Sequence, residues 1–468
     1  MQIGYRFRLY PSKHQQATHQ QATLLKWIGC QRFIYNAKVS EDRYYRGYAR
    51  KFASNEFAPV DQEYSRFIGE ETKWLREVPS QVLRNGAVRW RQGYERFLKR
   101  LGGRPTIHKK HGAQSAWLTS ELFRLEDGKL VVGKGKFPVG EIAFKAHREF
   151  TVPKSIRITA HAGRWYLSFS NDNGEPEYSE EEIASWLQTF TPEELEQRTL
   201  GLDRGLVLPV AASNGVNFEF RPIEHKRMRK RENAIKRFQR RLAQRQCKTS
   251  RRRAKLGERI ATLQRKNADL RRDFAHQASR KLADDPTAVL YVFEDLKIKN
   301  MTASAKGTVE KPGKKVKQKA GLNCSILRSA WGQVKNYLQY KARRQHKLVV
   351  AVSPIRSSQE CAACGHTHPD NRISQSVFVC QACGNKNNAD TNAGCVLSKR
   401  GVDLIVSGKL AAKTKKRVSI TKQVRFEEPE LEAQAPYARG ENVSRIGQLV
   451  AAQSSWNRDE TLTTALSA

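Results

Sequence analysis

The sequence predicts an α+β chain of several domains, and three observations carry that prediction. Short apolar-alternating runs of strand length are interspersed with long, strongly basic helical stretches over 468 residues, a length that allows roughly three domains of about 150 residues. Two Cys-x2-Cys pairs, Cys361/Cys364 and Cys380/Cys383, stand 15 residues apart. Acidic residues close apolar strand runs at Asp203 and Glu294, and a third, Asp390, follows seven residues after Cys383. With 39% hydrophobic residues, the chain can bury real cores rather than remain disordered.

The elements read in order as follows. Ile3, Tyr5, Phe7 and Leu9 alternate with Arg6 and Arg8, the pattern of a half-buried strand. Pro11-Ser12 ends it, and Ser12 with Gln15 resembles a helix capping box. A helix follows through Leu24, Leu25, Ile28 and Phe33, and a second over Val82, Leu83, Ala87, Trp90, Tyr94, Phe97, Leu98 and Leu101, stopped by Gly102-Gly103. The stripe of this second helix reads as packing surface, whereas its interleaved arginines, among them Arg84, Arg89, Arg91 and Arg96, are phosphate-contact candidates. Residues 115–170 are β-rich, with a hairpin around His161-Ala162-Gly163. The acidic stretch after Asn171 reads as a linker with a short exposed helix, and residues 302–320 as a Lys/Gly-rich loop. Residues 411–468 lose periodicity and are expected to be a disordered tail.

Charge narrows the partner. Lys and Arg number 85 against 46 Asp and Glu, giving a net charge of +39. Such an excess repels itself unless an anionic partner neutralises it, and nucleic acid does so through its phosphates. The excess is concentrated between Lys226 and Lys281, where 22 Lys/Arg face 4 Asp/Glu around a near-heptad of Leu256, Ile260, Leu263, Leu270 and Phe274, as in a helical hairpin with a basic exterior. No apolar run approaches the ~20 residues of a membrane span, and no signal-peptide pattern opens the chain. A soluble, cytoplasmic protein without a membrane partner is expected.

Four thiolates at Cys-x2-Cys-x15-Cys-x2-Cys fit a closed tetrahedral Zn2+ site. Gly365 and Gly384, each directly after a pair, suit the left-handed turn of a zinc knuckle. Four sulfurs leave no open position for a reacting water, so the zinc is structural, and His366 and His368 read as exposed neighbours. Cys30, Cys247, Cys324 and Cys395 read as small buried or incidental thiols.

Asp203 lies on a strand within Thr199–Gly205, and Glu294 closes the apolar strand Ala288–Phe293; a further strand, Leu348–Val352, precedes the cysteines. Carboxylates on adjacent strand ends are what two-metal phosphodiester hydrolysis requires, with Mg2+ held by a few hard oxygen ligands. Taken singly, each acid has a plainer reading as an N-cap, a turn residue or a solvated charge, and Asp295 competes with Glu294 as a ligand.

Together these residues resemble the TnpB/OrfB transposon proteins, relatives of the compact type V CRISPR effectors. The matching segments are Gly-Leu-Asp203-Arg-Gly, Phe-Glu294-Asp-Leu, the four cysteines, Asp390-Thr-Asn392-Ala393, the opening Tyr-Arg-Phe-Arg-Leu-Tyr-Pro, Gln31–Asn36 and Gly103-Arg104-Pro105, over roughly residues 1–405. The resemblance implies an RNase H-like RuvC nuclease domain (196–355 and 385–410) with Asp203, Glu294 and Asp390 binding Mg2+. It further implies a zinc-ribbon target-nucleic-acid-binding insert (356–384), a β-barrel wedge domain (1–12 with 115–195) and a helical recognition lobe (13–114). The implied activity is cleavage of double-stranded DNA beside a short adjacent motif, directed by a guide RNA transcribed from the transposon end, with one protein monomer per guide and a nucleoid-associated location in a prokaryote. A guide-independent or nuclease-inactive DNA-binding accessory protein is the alternative, disfavoured by the three acids. Two departures stand out: Asn387-Asn388-Ala389 precedes Asp390 where an Arg is common, and the acidic segment at 172–198 resembles an insertion.

Overall fold

In the computed structural model, which describes residues 2–12, 20–52, 60–110, 112–126, 128–247 and 249–410, the alternating amino-terminal run becomes β1 (Gln2–Tyr10). The expected tail at 411–468 and the capping residue Gln15 lie outside the described residues. Two compact units emerge, one built from residues up to Glu175 with Cys247–Ala254, the other from Pro176–Gln246 with Lys255 onward.

In the first unit β1 is followed by α1 (Gln20–Phe52) and α2 (Ser80–Leu98). Then come β2 (Gln114–Thr119), β3 (Phe123–Glu126), β4 (Lys129–Val132), β5 (Gly140–Lys145), β6 (Ser155–His161) and β7 (Arg164–Asp172). The seven strands form a sheet of order β2-β6-β7-β1-β5-β4-β3 that curls into a nearly closed barrel. The hairpin expected around Gly163 is β6–β7, with His161 paired to Arg164. Barrel and helices share one core: Phe7, Leu118, Ile142, Ile158 and Leu167 belong to the same buried cluster as Trp27, Ile28, Ile34, Val82 and Leu83. The wedge and recognition lobe, expected as two modules, are thus one compact unit here, because the apolar stripes of both helices are buried with the barrel's inner face. The fully buried Lys38, paired with Glu41 at 3.1 Å and with Asp61, adds a satisfied internal charge network to α1.

The second unit begins with α3 (Glu180–Leu187) and α4 (Pro192–Gln197), each opened by a capping box, at Ser179/Glu182 and Thr191/Glu194. These helices correct the expectation of an exposed acidic helix belonging to the wedge. Ile183, Leu187 and Leu195 are fully buried in one cluster with Leu290, Val292 and Val350, so 180–197 packs on the sheet of the second unit.

That sheet comprises β8 (Thr199–Asp203), β9 (Val210–Ala212), β10 (Asn217–Phe218), β11 (Leu290–Glu294) and β12 (Leu348–Val352). Its order is β10-β9-β8-β11-β12, with β8, β11 and β12 parallel and β8-β9-β10 antiparallel, an RNase H-like arrangement. Parallel strands are covered on both faces, which is why Leu-Tyr-Val-Phe and Leu-Val-Val read as continuous apolar runs.

Between β10 and β11 stand the basic helices α5 (Pro222–Ala243) and α6 (Arg251–Ala283), and between β11 and β12 come α7 (Ile298–Met301), α8 (Val316–Arg328) and α9 (Trp331–Arg344). The Lys/Gly-rich loop therefore ends at Lys315, earlier than expected. Ala275, Ala278 and Leu282 of α6 and Val334 and Leu338 of α9 cover one face of the sheet. The other face takes α10 (Ala389–Val406) as well as α3 and α4. A cysteine-bearing hairpin, β13 (Val377–Val379) and β14 (Lys386–Asn388), is inserted between β12 and α10. Among the described residues, no helix is long and apolar enough to cross a membrane.

Candidate active site and cysteine ribbon

Strands β8 and β11 pair in parallel with Leu202 opposite Phe293, so their final residues, Asp203 and Glu294, emerge side by side at the carboxyl edge of the sheet. Open sheets of this kind place ligands at that edge. Asp390 arrives from the first turn of α10, where the Asn388 Oδ1 accepts the N–H groups of Asp390 at 2.9 Å and Thr391 at 3.3 Å. Close approach of α10 to β8 brings it there. A Cβ on Gly201 would fall 1.8 Å from the Gly394 carbonyl oxygen, so glycine at that strand position is required for the contact. The three acids line one cleft of about 370 Å³ together with Arg204, Ser357 and Arg372. Asp295, the competing candidate, is exposed and not part of this lining.

The cleft is short of positive charge. Burial, and next the neighbouring Glu294 carboxylate, push Asp203 up to about 6, against the Arg204 N–H that it accepts at 2.8 Å. Ser357 Oγ donates to Glu294 at 2.8 Å, and Arg372 lies 3.5 Å from Asp390. Arg204 is buried over the Phe293 ring and donates to the Glu294 carbonyl oxygen. The acids converge on the cleft but do not gather tightly: among the described residues the cysteines are the one group of three or more ligating side chains close enough to hold an ion. The donor set nevertheless fits Mg2+. It consists of hard oxygens, half-buried, one of them raised by burial first and by the Glu294 carboxylate next, and a divalent cation would offset both.

The cysteine site is fully assembled. Cys361 and Cys383 Sγ lie 3.7 Å apart and Cys364 and Cys380 3.6 Å, with all four within 4.8 Å of one another. A tetrahedral Zn2+ with Zn–S bonds of about 2.3 Å demands sulfur separations of about 3.8 Å, so the fit is close. Gly365 and Gly384 adopt φ of +76° and +71° and donate back to the Cys361 and Cys380 carbonyls, the two knuckle turns expected. The Cys383 N–H in the second knuckle is the main reason Cys380 is lowered to about 6, toward the thiolate that a metal needs. His366 and His368 lie outside the cluster, with ring centroids 6.2 Å apart.

Three residues of the cleft escaped the sequence reading. Arg204 stood within the Asp203 motif without an assigned role. Ser357 and Arg372 lie in irregular polar segments whose pattern says nothing of tertiary neighbours. The missing Arg before Asp390 gains an explanation: Asn388 caps the helix, and Arg372 supplies the cation from within the ribbon.

The fold and site define a class, RNase H-like proteins with a cysteine ribbon inserted ahead of the third carboxylate. Family models described as "Probable transposase" (OrfB_IS605), "Helix-turn-helix domain" (HTH_OrfB_IS605) and "Cas12f1-like, TNB domain" match residues 176–305, 1–47 and 331–397. The chain is 30% identical over 414 residues, 87% of its length and 94% of the relative's, to "Putative RNA-guided DNA endonuclease InsQ" of Escherichia coli (strain K12). The chain belongs to the TnpB/OrfB family. A 68-residue stretch, 14% of this chain and 16% of the relative, is 38% identical to the CRISPR-associated endodeoxyribonuclease Cas12f1 of Sulfoacidibacillus thermotolerans. A cryo-EM structure of a Cas12f1–sgRNA–target DNA complex aligns at TM-score 0.49 and 14% identity, covering 81% of this chain and 82% of that one. The described part of residues 1–47 is a strand and a single helix, not a helix-turn-helix.

Proposed function

We propose that the chain is an RNA-guided DNA endonuclease of RuvC type, in which Asp203, Glu294 and Asp390 hold catalytic Mg2+ and a transposon-derived guide RNA directs cutting of double-stranded DNA beside a short adjacent motif. The observation that carries this reading is the convergence of three carboxylates from β8, β11 and α10 on one cleft whose lining also includes Arg204, Ser357 and Arg372. Magnesium held there would supply an activated water and neutralise the leaving oxygen of the phosphodiester. Ser357 fixes the Glu294 carboxylate, Asn388 sets Asp390 by capping its helix, and Arg204 ties the ends of β8 and β11 together. Arg372, half-buried beside Asp390, is placed to bind a phosphate oxygen as its charge grows. The four cysteines hold Zn2+ as a structural ion.

The test is purification with co-bound nucleic acid, sequencing of that RNA, and an assay of a motif-flanked duplex with Mg2+. Cutting that disappears in Asp203→Ala while RNA and DNA binding persist supports the reading. Binding without cutting in the wild type points to a nuclease-inactive repressor. Cutting or binding independent of RNA points to a guide-independent accessory protein.

A further inference from the structure

The turn that follows Asp203 forms one wall of the carboxylate cleft, and its hold on the rest of the fold is narrow. Every residue from Asp203 to Leu208 lines the cleft. At its tip Leu206 and Val207 are 44% and 67% exposed, so burial of its own side chains does little to fix it. Its conformation therefore depends on hydrogen bonds at its base.

Three successive peptide planes are each held by one such bond. The Arg204 N–H donates to Asp203 Oδ1 at 2.8 Å, and the Gly205 N–H donates to the Leu208 carbonyl at 3.0 Å. The Gly205 carbonyl then accepts the indole N–H of Trp331 at 3.0 Å, from 126 residues further along the chain. Only the last of the three reaches outside the turn. Because each plane is rigid and turns only about φ and ψ, holding the Gly205 carbonyl limits the rotation of the planes before it. The N–H that orients the Asp203 carboxylate lies on the first of them.

Trp331 is delivered to this turn by an uncommon backbone step. Ala330, with φ of +62°, takes the left-handed conformation that a residue with a side chain rarely adopts, and it reverses the chain between α8 and α9. Trp331 is then the first residue of α9. It is buried, yet it is not a member of the apolar cluster that Val334 and Leu338 of the same helix join. A buried indole needs an acceptor for its N–H, and here that acceptor belongs to the turn beside Asp203.

We propose that Trp331 is a positioning residue of the metal cleft: through the Gly205 carbonyl it holds the turn that orients the Asp203 carboxylate. The proposal rests on the reading of Asp203, Glu294 and Asp390 as metal ligands, and adds to them a residue that touches neither metal nor substrate. Removing a group that orients a metal ligand from behind typically costs about 10–100-fold in metal affinity or activity.

The test measures Mn2+ binding to the full, zinc-loaded chain by electron paramagnetic resonance, beside single-turnover cleavage of a guided duplex at saturating DNA. Trp331→Phe keeps an apolar ring and removes the N–H. It is expected to weaken Mn2+ binding about tenfold and to slow cleavage about tenfold, with the Kd for target DNA unchanged. If the smaller ring prevents folding, replacing Trp331 by 3-benzothienylalanine, which puts sulfur in place of the N–H at nearly the same shape, takes the same two readouts. Val334→Ala, a core truncation on the same helix, should lower the thermal midpoint and leave Mn2+ affinity at the wild-type value. Wild-type Mn2+ affinity in Trp331→Phe or in the sulfur isostere overturns the proposal. An equal loss of Mn2+ affinity in Val334→Ala overturns it too, because the effect would then follow stability rather than the indole bond. If the wild type binds no Mn2+, or Asp203→Ala binds it as tightly as the wild type, the metal reading itself fails. If Asp203→Ala loses Mn2+ and Trp331→Phe does not, only the role of Trp331 falls.

Discussion

Asp203→Asn should stabilise the magnesium-free protein while abolishing its activity. Asp203 has its pKa lifted from 3.8 to about 6 by burial and by the Glu294 carboxylate. A carboxyl whose folded pKa exceeds its unfolded value favours folding only while it carries its proton. The contribution is complete below about pH 4 and is lost as pH rises through about 6. At 1.36 kcal/mol per pH unit, the interval corresponds to about 3 kcal/mol lost at pH 8, to burial of the charge first and to the Glu294 carboxylate second, trimmed to about 2–3 kcal/mol because the group is only half-buried. Asparagine removes the charge and can still accept the Arg204 N–H through its Oδ1. The variant should therefore melt about 4–10 °C higher than wild type at pH 8, and the gap should vanish near pH 4.

The assay is thermal and urea denaturation at both pH values, with zinc retained and magnesium varied. Magnesium should raise the wild-type midpoint at pH 8 by neutralising the same buried charge, and should leave Asp203→Asn nearly unmoved. A variant no more stable than wild type at pH 8, or equally stabilised at pH 4, would refute the argument that the three acids form an under-neutralised cation site.

Other consequences follow from the ribbon and the sheet. Cys361→Ser should lose zinc and lower the folded yield, since structural zinc contributes folding energy outright; unchanged zinc content by metal analysis sinks the four-cysteine assignment. Arg372→Ala should reduce cleavage about 100-fold with target binding intact, the scale for one lost transition-state donor; wild-type turnover would exclude Arg372 from the reaction. Gly201→Ala should destabilise the second unit by about 3 kcal/mol or more, because the new methyl meets the Gly394 carbonyl, a backbone atom that cannot rotate away. A urea midpoint equal to wild type would show that α10 does not sit so close to β8.

Much of the site was legible because its parts have local signatures. Asp203 and Glu294 each end an apolar run, and a buried parallel strand announces itself by lacking polar residues until its edge. The cysteine spacing with Gly365 and Gly384 specifies two knuckles without reference to the rest of the chain. What stayed hidden depended on partners. The run Glu180–Glu182 reads as solvated and is exposed, but it opens a capped helix whose Ile183 and Leu187 are fully buried, which the acidic run does not reveal. Likewise the stripes of α1 and α2 reveal an apolar face but not that the barrel shares its core with them. Arg372 could not be found by pattern, because its value lies in a contact 18 residues along the chain with Asp390.

That contact changes what the ribbon is for. Asn388 is both the last residue of β14 and the cap of α10, so the second ribbon strand runs without a break into the helix that carries Asp390. From the other side, Asn392 of α10 accepts the Ala362 N–H at 3.0 Å and donates to the Glu360 carbonyl at 2.7 Å, and Arg400 pairs with Glu360, gripping the chain just where the first knuckle begins. Zinc held by the four sulfurs, as proposed, would therefore brace three things at once: the angle at which α10 enters, the register of Asp390 against the ends of β8 and β11, and the reach of Arg372. A ribbon that only bound nucleic acid would need none of these ties. Loss of zinc should consequently impair cutting more steeply than it impairs DNA binding, whereas a ribbon that serves only as a binding surface would lose both in parallel.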